Sequence, residues 1–237
     1  DTATVIYIAL AALLAWNLWQ CLNVNREVLA GHVVPEIHRY KFKQVAILSL
    51  AYGVSFGSEI AVVSMLPLYF KDLYGLTLVQ AGLVGSSFAI MNLFARPAGG
   101  LISDRIGRKR TLSLVMVGIT AGYGAMSFMG DWPLWAAVTT TVLCSFFVQA
   151  GCGAVYGIVP LIKRRLTGQI AGMSGAYGNV GSVAFLTVLA FVTPATFFLV
   201  IAATAVMALV VVQFLDEPAG QIAEIMPDGT VQMIDVA

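Results

Sequence analysis

Seven apolar stretches, each long enough to cross a lipid bilayer as a helix, constrain this chain more than any other feature. A membrane-spanning helix needs about 20 mostly apolar residues. Lipid offers the backbone no hydrogen-bond partners, so a spanning segment must satisfy its own polar groups as a helix does. The predicted segments are residues 2–22, 44–70, 79–103, 111–129, 133–162, 168–192 and 195–215. The sequence therefore predicts an all-α polytopic membrane protein with seven transmembrane helices.

The composition agrees with a membrane protein and excludes several other classes. Only 11% of the residues are charged, against about 25% in soluble domains, and a net charge of +1 gives no reason to expect a nucleic-acid partner. The three cysteines lie in apolar segments without disulfide or metal-ligand spacing. We interpret His32 and His38 as solvated residues of a polar connection. No nucleophile, base or metal cluster appears, so neither an enzyme nor a cofactor is expected.

The basic residues predict how the chain is oriented in its membrane. Eleven of the thirteen lysines and arginines fall in the connections after the first, third and fifth segments, whereas the alternate connections contain only Lys71. Cytoplasmic loops carry such an excess. We therefore expect an inner (plasma) membrane protein whose first residue is outside and whose acidic end, residues 216–237, is a mobile cytoplasmic tail.

Arg96, in the third segment, is the most informative single residue. It lies about five residues, roughly 8 Å, before the segment ends at Leu101 to Ser103, at a depth where a charge is costly and usually functional. Snorkelling to the interface is one explanation, but Gly85, Asn92 and Gly100 share its face, and Pro97 favours a kink beside a cavity. A guanidinium is planar and suited to oxyanions. We interpret Arg96 as an anion ligand.

The second segment places three further candidates on one helical face. Tyr52, Phe56 and Glu59 are spaced i, i+4 and i+7. Tyr52 is interpreted as a hydroxyl donor to an anion and Phe56 as a wall of its pocket, with ordinary aromatic packing as the alternative for both. Glu59 is the acidic residue well inside a span, and three roles stay open: pairing with Arg96, accepting a transported proton, or latching another helix.

The sixth segment is unusually rich in glycine. Gly172, Gly175, Gly178 and Gly181 remove side chains from much of its surface, and Asn179 offers two N–H donors to an oxyanion. Glycines at this density lower helix propensity. Either a neighbouring helix or a small substrate is therefore expected to approach the backbone closely.

A charged cluster follows the third segment and has a recognisable spacing. The residues read G-x-x-x-D-R-x-G-R-K-R, and we interpret them as a cytoplasmic gate in which the aspartate meets an arginine or the positive end of a facing helix. Simple anchoring by basic residues is the alternative. The pattern resembles the signature loop of the major facilitator superfamily. The gating residues are Gly100, Asp104, Arg105, Gly107 and Arg108.

That resemblance implies a domain organisation. The family carries this loop between the second and third helices of each six-helix half, whereas here it follows the third segment. Residues 1–22 would then be the last helix of the N-terminal half and residues 23–43 the central cytoplasmic loop. Residues 44–215 would be the C-terminal six-helix bundle. The chain is expected to be a fragment, helices six to twelve of a twelve-helix fold.

Several motifs together resemble the nitrate/nitrite porter family within that superfamily. The run GAYGNVGS is similar to its nitrate signature, FARPAGG to the region of its helix-eight arginine, and the Tyr-x-x-x-Phe pair to its helix-seven pair. The phrase SFGSEIAVVSMLP is similar to bacterial, notably cyanobacterial, members. The resemblance implies a substrate site formed by Arg96, Tyr52, Phe56, Asn179, Gly175, Gly178 and Gly181.

The resemblance also implies a function and identifies what this chain lacks. We expect a nitrate and nitrite transporter that works by alternating access, by proton symport with Glu59 as a possible coupling residue, or by nitrate/nitrite exchange. Ser182 stands where the family commonly has a further glycine, and the partner arginine belongs to the absent N-terminal half. The alternatives are a transporter of another small solute, a non-transporting nitrate sensor, and a heptahelical receptor or light-driven pump, although no lysine lies mid-helix to hold retinal.

Overall fold

The computed structural model describes residues 2–30, 39–217, 220–225 and 230–236. The chain divides into two compact units, Asp1–Arg39 and Tyr40–Ala237. His32 and His38 lie outside the described residues. The first unit contains α1 (Thr2–Val24) and the short α2 (Arg26–Leu29). The sequence of α1 is apolar around its whole circumference, which is typical of a helix in lipid.

Among its described residues, the second unit contains seven α-helices followed by two paired strands. Local signals explain several helix ends: Gly75, with φ +64°, ends the first of these helices, and Thr77 with Gln80 forms a capping box at the start of the next. Thr193 caps the last helix, whose first residue is proline. The helices are α3 (Phe42–Tyr74), α4 (Leu78–Ile90), α5 (Asn92–Ile106), α6 (Arg108–Met126), α7 (Leu134–Ile162), α8 (Thr167–Leu189) and α9 (Pro194–Val212).

Every predicted apolar segment corresponds to helix in the structure, so the all-α prediction is confirmed for the membrane part. Five stretches of the described residues are long and apolar enough to span a membrane: α1, α3, α4 with α5, α7 and α9. The helices α6 and α8 have 19 and 23 residues, which is sufficient length. These two helices are less apolar than the other five stretches, because α6 begins with basic residues and α8 is rich in glycine.

The third predicted segment is divided into two helices. The interruption lies at Met91, and Pro97 stands inside α5, so the break comes about one and a half turns before the proline. Proline cannot donate to the carbonyl one turn earlier, which weakens the helix on that side. The sequence predicted a kink at Pro97; the structure has a helix break instead, and it lies at Met91, on the N-terminal side of the proline.

Helix α7 lies at the centre of the second unit. It contacts α3, α5 and α6, while α3 packs along α8 and α6 packs along α9. Buried aromatic rings fill the space between α6 and α9, where Tyr123 and Phe198 stack with centroids 6.1 Å apart. This arrangement packs both α3 and α5 against α7.

Two strands that the sequence did not predict lie in the acidic tail. β1 (Gly220–Ile225) pairs antiparallel with β2 (Val231–Val236), with Gly220 opposite Val236. The alternating run VQMIDV is a strand signal, but it is short and stands among polar residues. The tail therefore contains regular structure beyond the helical bundle.

Candidate functional site

An ion pair inside the bundle forms the centre of the candidate site. Arg96 of α5 donates from Nη2 to Oε2 of Glu59 on α3, over 2.7 Å. The Glu59 side chain is 8% exposed and that of Arg96 is 32% exposed, so the carboxylate is enclosed while the guanidinium reaches an open surface. Of the three roles proposed for Glu59, the structure shows pairing with Arg96.

Three more polar side chains extend this pair. Arg96 donates from Nε to Oε1 of Gln149 on α7 over 3.1 Å, and Asn92 donates from Nδ2 to Oε1 of Glu59 over 3.2 Å. The Cys152 thiol lies 3.9 Å from Oε2 of the same carboxylate. These contacts join α3, α5 and α7 into one network, which we call the Arg96 network: Arg96, Glu59, Asn92, Gln149 and Cys152.

The sequence analysis did not single out Gln149 or Cys152. Gln149 is fully buried, and its Nε2 has no hydrogen-bond partner among the described residues. An unpaired buried amide is unusual and calls for an explanation. The sequence feature that could have identified Gln149 is its position inside a long apolar segment. A lone glutamine there is costly unless a neighbouring helix provides a hydrogen-bond partner.

Aromatic rings form a wall beside the guanidinium. Tyr52 and Phe56 stack with centroids 5.2 Å apart and planes 6° apart, and the ring of Tyr156 stands nearly perpendicular to that of Tyr52, with centroids 5.0 Å apart. The guanidinium carbon of Arg96 lies 5.8 Å from the centroid of Phe56, within cation–π range. The structure thus brings three of the predicted site residues, Arg96, Phe56 and Tyr52, into one place.

The glycines of α8 allow this wall to form. A Cβ at Gly178 would stand 2.6 Å from Cε1 of Tyr52 and 3.0 Å from Cδ1 of Phe56, so a larger residue would displace the stacked rings. Gly181 packs on the backbone of Gly53 in the same way, and a Cβ at Gly175 would lie 3.3 Å from the Tyr156 hydroxyl. The three predicted glycines of α8 therefore act as packing surfaces behind the wall.

Asn179 is placed differently from its neighbours. It is exposed, and its Nδ2 donates to the carbonyl of Gly175 over 3.0 Å. Ser182 is buried and donates to the carbonyl of Gly178 over 3.1 Å. The structure does not bring the Asn179 amide into the Arg96 network, and its role as a substrate ligand stays a prediction.

The predicted gate residues lie at the other end of α5. Asp104 accepts from Nη1 of Arg108 over 2.6 Å, one turn apart in sequence. Gly107 is the single residue between α5 and α6, with φ +100°, a conformation that side chains disfavour. Gly100 faces the backbone of α7, and Arg105 is exposed.

A residue from the tail completes this charged cluster. Oε1 of Glu217 accepts from the backbone N–H of Arg108 over 2.6 Å and of Lys109 over 3.3 Å. A carboxylate at a helix N-terminus satisfies otherwise unpaired N–H groups and complements the helix dipole. The sequence analysis gave Asp104 two alternative partners, an arginine or the positive end of a facing helix. In the structure Asp104 pairs with Arg108, and Glu217, 109 residues from Arg108, occupies the helix N-terminus.

A helical membrane bundle that encloses an arginine, a carboxylate and an amide defines a polytopic membrane protein with a polar interior site. Comparison with protein families identifies the group more closely. The model for the Major Facilitator Superfamily matches residues 3–188 and 48–225. The chain belongs to the major facilitator superfamily.

Individual relatives show which members of the superfamily this chain resembles. The nitrate/nitrite transporter NrtP of Picosynechococcus sp. is 47% identical over 93% of this chain and 45% of its own length. NrtP of Nostoc punctiforme is 43% identical over 92% of this chain and 44% of its own length. The high-affinity nitrate transporter 2.3 of Oryza sativa subsp. japonica is 43% identical over 58% of this chain. The chain thus spans less than half the length of each of these relatives.

Proposed function

We propose that this chain is the C-terminal part of a nitrate and nitrite transporter and that Arg96 binds the anion. The observation that carries the proposal is the Arg96 guanidinium, held between α3, α5 and α7 with an aromatic ring against it. Two relatives that match nearly the whole chain are named nitrate/nitrite transporters. An oxyanion such as nitrate is also the class of ligand that a planar guanidinium binds well.

The geometry of Arg96 leaves donors for a substrate. Its Nε and Nη2 hold Gln149 and Glu59, while Nη1 has no hydrogen-bond partner among the described residues. Nitrate is planar with three acceptor oxygens, so it can lie edge-on to the guanidinium fork. Phe56 would border the ion on its apolar side, and Tyr52 would donate its hydroxyl once the ion is bound.

Transport itself would require the rest of the fold. In the proposed arrangement an N-terminal half, with its own arginine, faces the Arg96 network, and the two halves rock around the bound ion. The cytoplasmic cluster of Asp104, Arg108 and Glu217 would close the inner side. The transporter would lie in the inner (plasma) membrane, with residue 1 outside and the tail in the cytoplasm. Uptake would proceed by proton symport or by nitrate/nitrite exchange.

The test is nitrate uptake by the full-length protein in proteoliposomes. Lysine in place of Arg96 keeps the charge but loses the planar fork, and a hydrogen bond to a charged group contributes about 1.5–3 kcal/mol. We expect Arg96→Lys to lower nitrate kcat/KM by about 10- to 100-fold. Arg164→Lys, the same change on an exposed arginine outside both the site and the gate, should have no effect.

Each alternative function predicts a different result. Normal nitrate uptake by Arg96→Lys would refute the assignment of Arg96. Absence of both nitrate binding and nitrate uptake by the unmodified full-length protein would indicate a transporter of another solute. A full-length protein that binds nitrate but moves none across the proteoliposome membrane would be a sensor.

A further inference from the structure

We propose that an anionic phospholipid binds along the outer face of α6, with its phosphate at the basic end of the helix and an acyl chain between α6 and α7. The surface concerned is bounded by Lys109, Arg110, Leu114, Ala121 and Phe147, and we call it the α6 groove. This site is separate from the anion site proposed above, and neither depends on the other.

The deeper part of the α6 groove is an apolar hollow of about 370 Å³ between α6 and α7. Its lining is apolar apart from Thr140 and Cys144. Two of its residues, Leu114 and Val117, are exposed and also line a second hollow of about 530 Å³ at the start of α6. The two hollows therefore meet on the outer face of the helix, and an extended molecule can occupy both.

The second hollow offers donors suited to a phosphate. The guanidinium of Arg110 is exposed and has no hydrogen-bond partner among the described residues. Ser113 accepts at Oγ from Nε2 of Gln213 over 3.0 Å, so its own proton is left to donate. The Lys109 ammonium donates to the carbonyl of Gln213 and has two further N–H donors. These three side chains line one hollow.

The charges of this hollow favour an anionic headgroup over a zwitterionic one. Glu217 also lines it, but this carboxylate accepts from the backbone N–H groups of Arg108 and Lys109. Lys109 and Arg110 therefore leave one positive charge in excess, which a phosphodiester with a single negative charge balances. A zwitterionic lipid would bring an additional ammonium toward two cations. Basic side chains at a membrane surface attract anionic lipids for the same reason.

The length and direction of the α6 groove suit a lipid in one leaflet. Arg110 and Ala121 are separated by about 16 Å along the helix, about half of the roughly 30 Å hydrocarbon core. On α7, Phe147 lines the groove and Gln149 binds Arg96, and two residues are about 200° apart around a helix. The groove and the Arg96 network thus lie on opposite faces of α7. An N-terminal half that faces the network would leave the groove open to lipid.

The test is photocrosslinking of the full-length protein in phosphatidylcholine nanodiscs that contain a small fraction of phosphatidylglycerol with a diazirine in its acyl chain. Mass spectrometry of the digested protein locates the label. We expect label on residues 114–121 of α6, about fivefold more than from the same diazirine on phosphatidylcholine. Arg110→Gln should remove about fivefold of the phosphatidylglycerol label. Arg164→Gln, the same loss of charge on an exposed arginine outside the groove, should leave the label unchanged.

Three results would overturn the inference. Equal labelling of α6 by the two lipids would refute a preference for anionic lipid, and this comparison needs no variant. Equal losses of label in Arg110→Gln and Arg164→Gln would show attraction by general surface charge instead of a site. Loss of the label when water-soluble glycerol phosphate is added in excess would identify a free phosphate compound as the ligand, whereas a lipid site should keep its label.

Discussion

Gln149 combines a useful contact with an energetic cost. Its Oε1 accepts from Arg96, but its Nε2 is buried without a partner in the described structure. An unpaired buried polar group costs about 1–3 kcal/mol, and groups of this kind in native structures often mark functional sites. The contact with Nε restrains the plane of the guanidinium, and in the proposed function that plane would determine where a planar anion binds.

We predict that Gln149→Leu has opposite effects on nitrate binding and on stability. Losing the acceptor for Nε frees the guanidinium to rotate, so the nitrate Kd should rise by about tenfold, a loss of about 1.4 kcal/mol. Removing the unpaired Nε2 should leave the thermal unfolding midpoint unchanged or raise it. Titration calorimetry and thermal unfolding of the full-length protein measure the two quantities. An unchanged Kd would show that Gln149 does not position Arg96.

Sequence reasoning found some residues of the network and missed others for a physical reason. Tyr52, Phe56 and Glu59 share a helical face, and periodicity within one helix reports faces directly. Gln149 and Glu217 act on residues 53 and 109 positions away, which no local pattern encodes. Their partners depend on how the helices pack.

At the level of helices, the approach of α5 to α7 determines where Arg96 lies. A Cβ at Gly153 would collide with the carbonyl of Arg96, and a Cβ at Gly99 would collide with that of Ala150. A Cβ at Gly157, one turn further along α7, would lie 3.8 Å from the Cα of Gly100, an ordinary contact. Close packing through small residues is the usual basis of helix association in lipid.

We predict that Gly153→Ala is destabilising and Gly157→Ala is not. The added methyl at Gly153 must push α5 away, and overpacking of this kind costs about 1–3 kcal/mol. The thermal unfolding midpoint of the full-length protein in detergent should fall by several degrees, and nitrate affinity should fall with it because Arg96 moves. Gly157→Ala is the matched control. Equal midpoints for the two variants would contradict the packing seen between α5 and α7.

The sequence predicted where the helices lie better than it predicted where they are interrupted and which strands pair. Apolar length alone located the helical segments, because the membrane permits few other structures. The position of the break at Met91 and the pairing of β1 with β2 depend on local strain and on contacts that hydropathy does not report.

For the whole molecule, the proposed orientation in the membrane rests on the distribution of charge. α7 is 29 residues long, about 43 Å at 1.5 Å per residue, so its two ends lie on opposite sides of a bilayer. Asp131 precedes it and Arg164 follows it, and both are exposed. The basic side, which holds Arg164, is the proposed cytoplasmic side.

We predict that single cysteines at these two positions react with a membrane-impermeant maleimide from opposite sides. In a background with Cys21, Cys144 and Cys152 replaced by serine or alanine, Asp131→Cys should be labelled in intact cells. Arg164→Cys should be labelled only after permeabilisation. Nitrate uptake by both variants serves as the control for correct insertion, and the reverse labelling pattern would refute the proposed orientation.

The connection between α5 and α6, Gly107 alone, has a mechanical consequence. A single connecting residue spans only a few ångströms. The end of α5 therefore cannot move far without moving the start of α6. Arg96 stands on α5, and the start of α6 is held by Glu217. We infer that a displacement of α5 that moved Arg96 would also move the start of α6, so that an event at the interior site would reach the charged cluster at the other end of the helix.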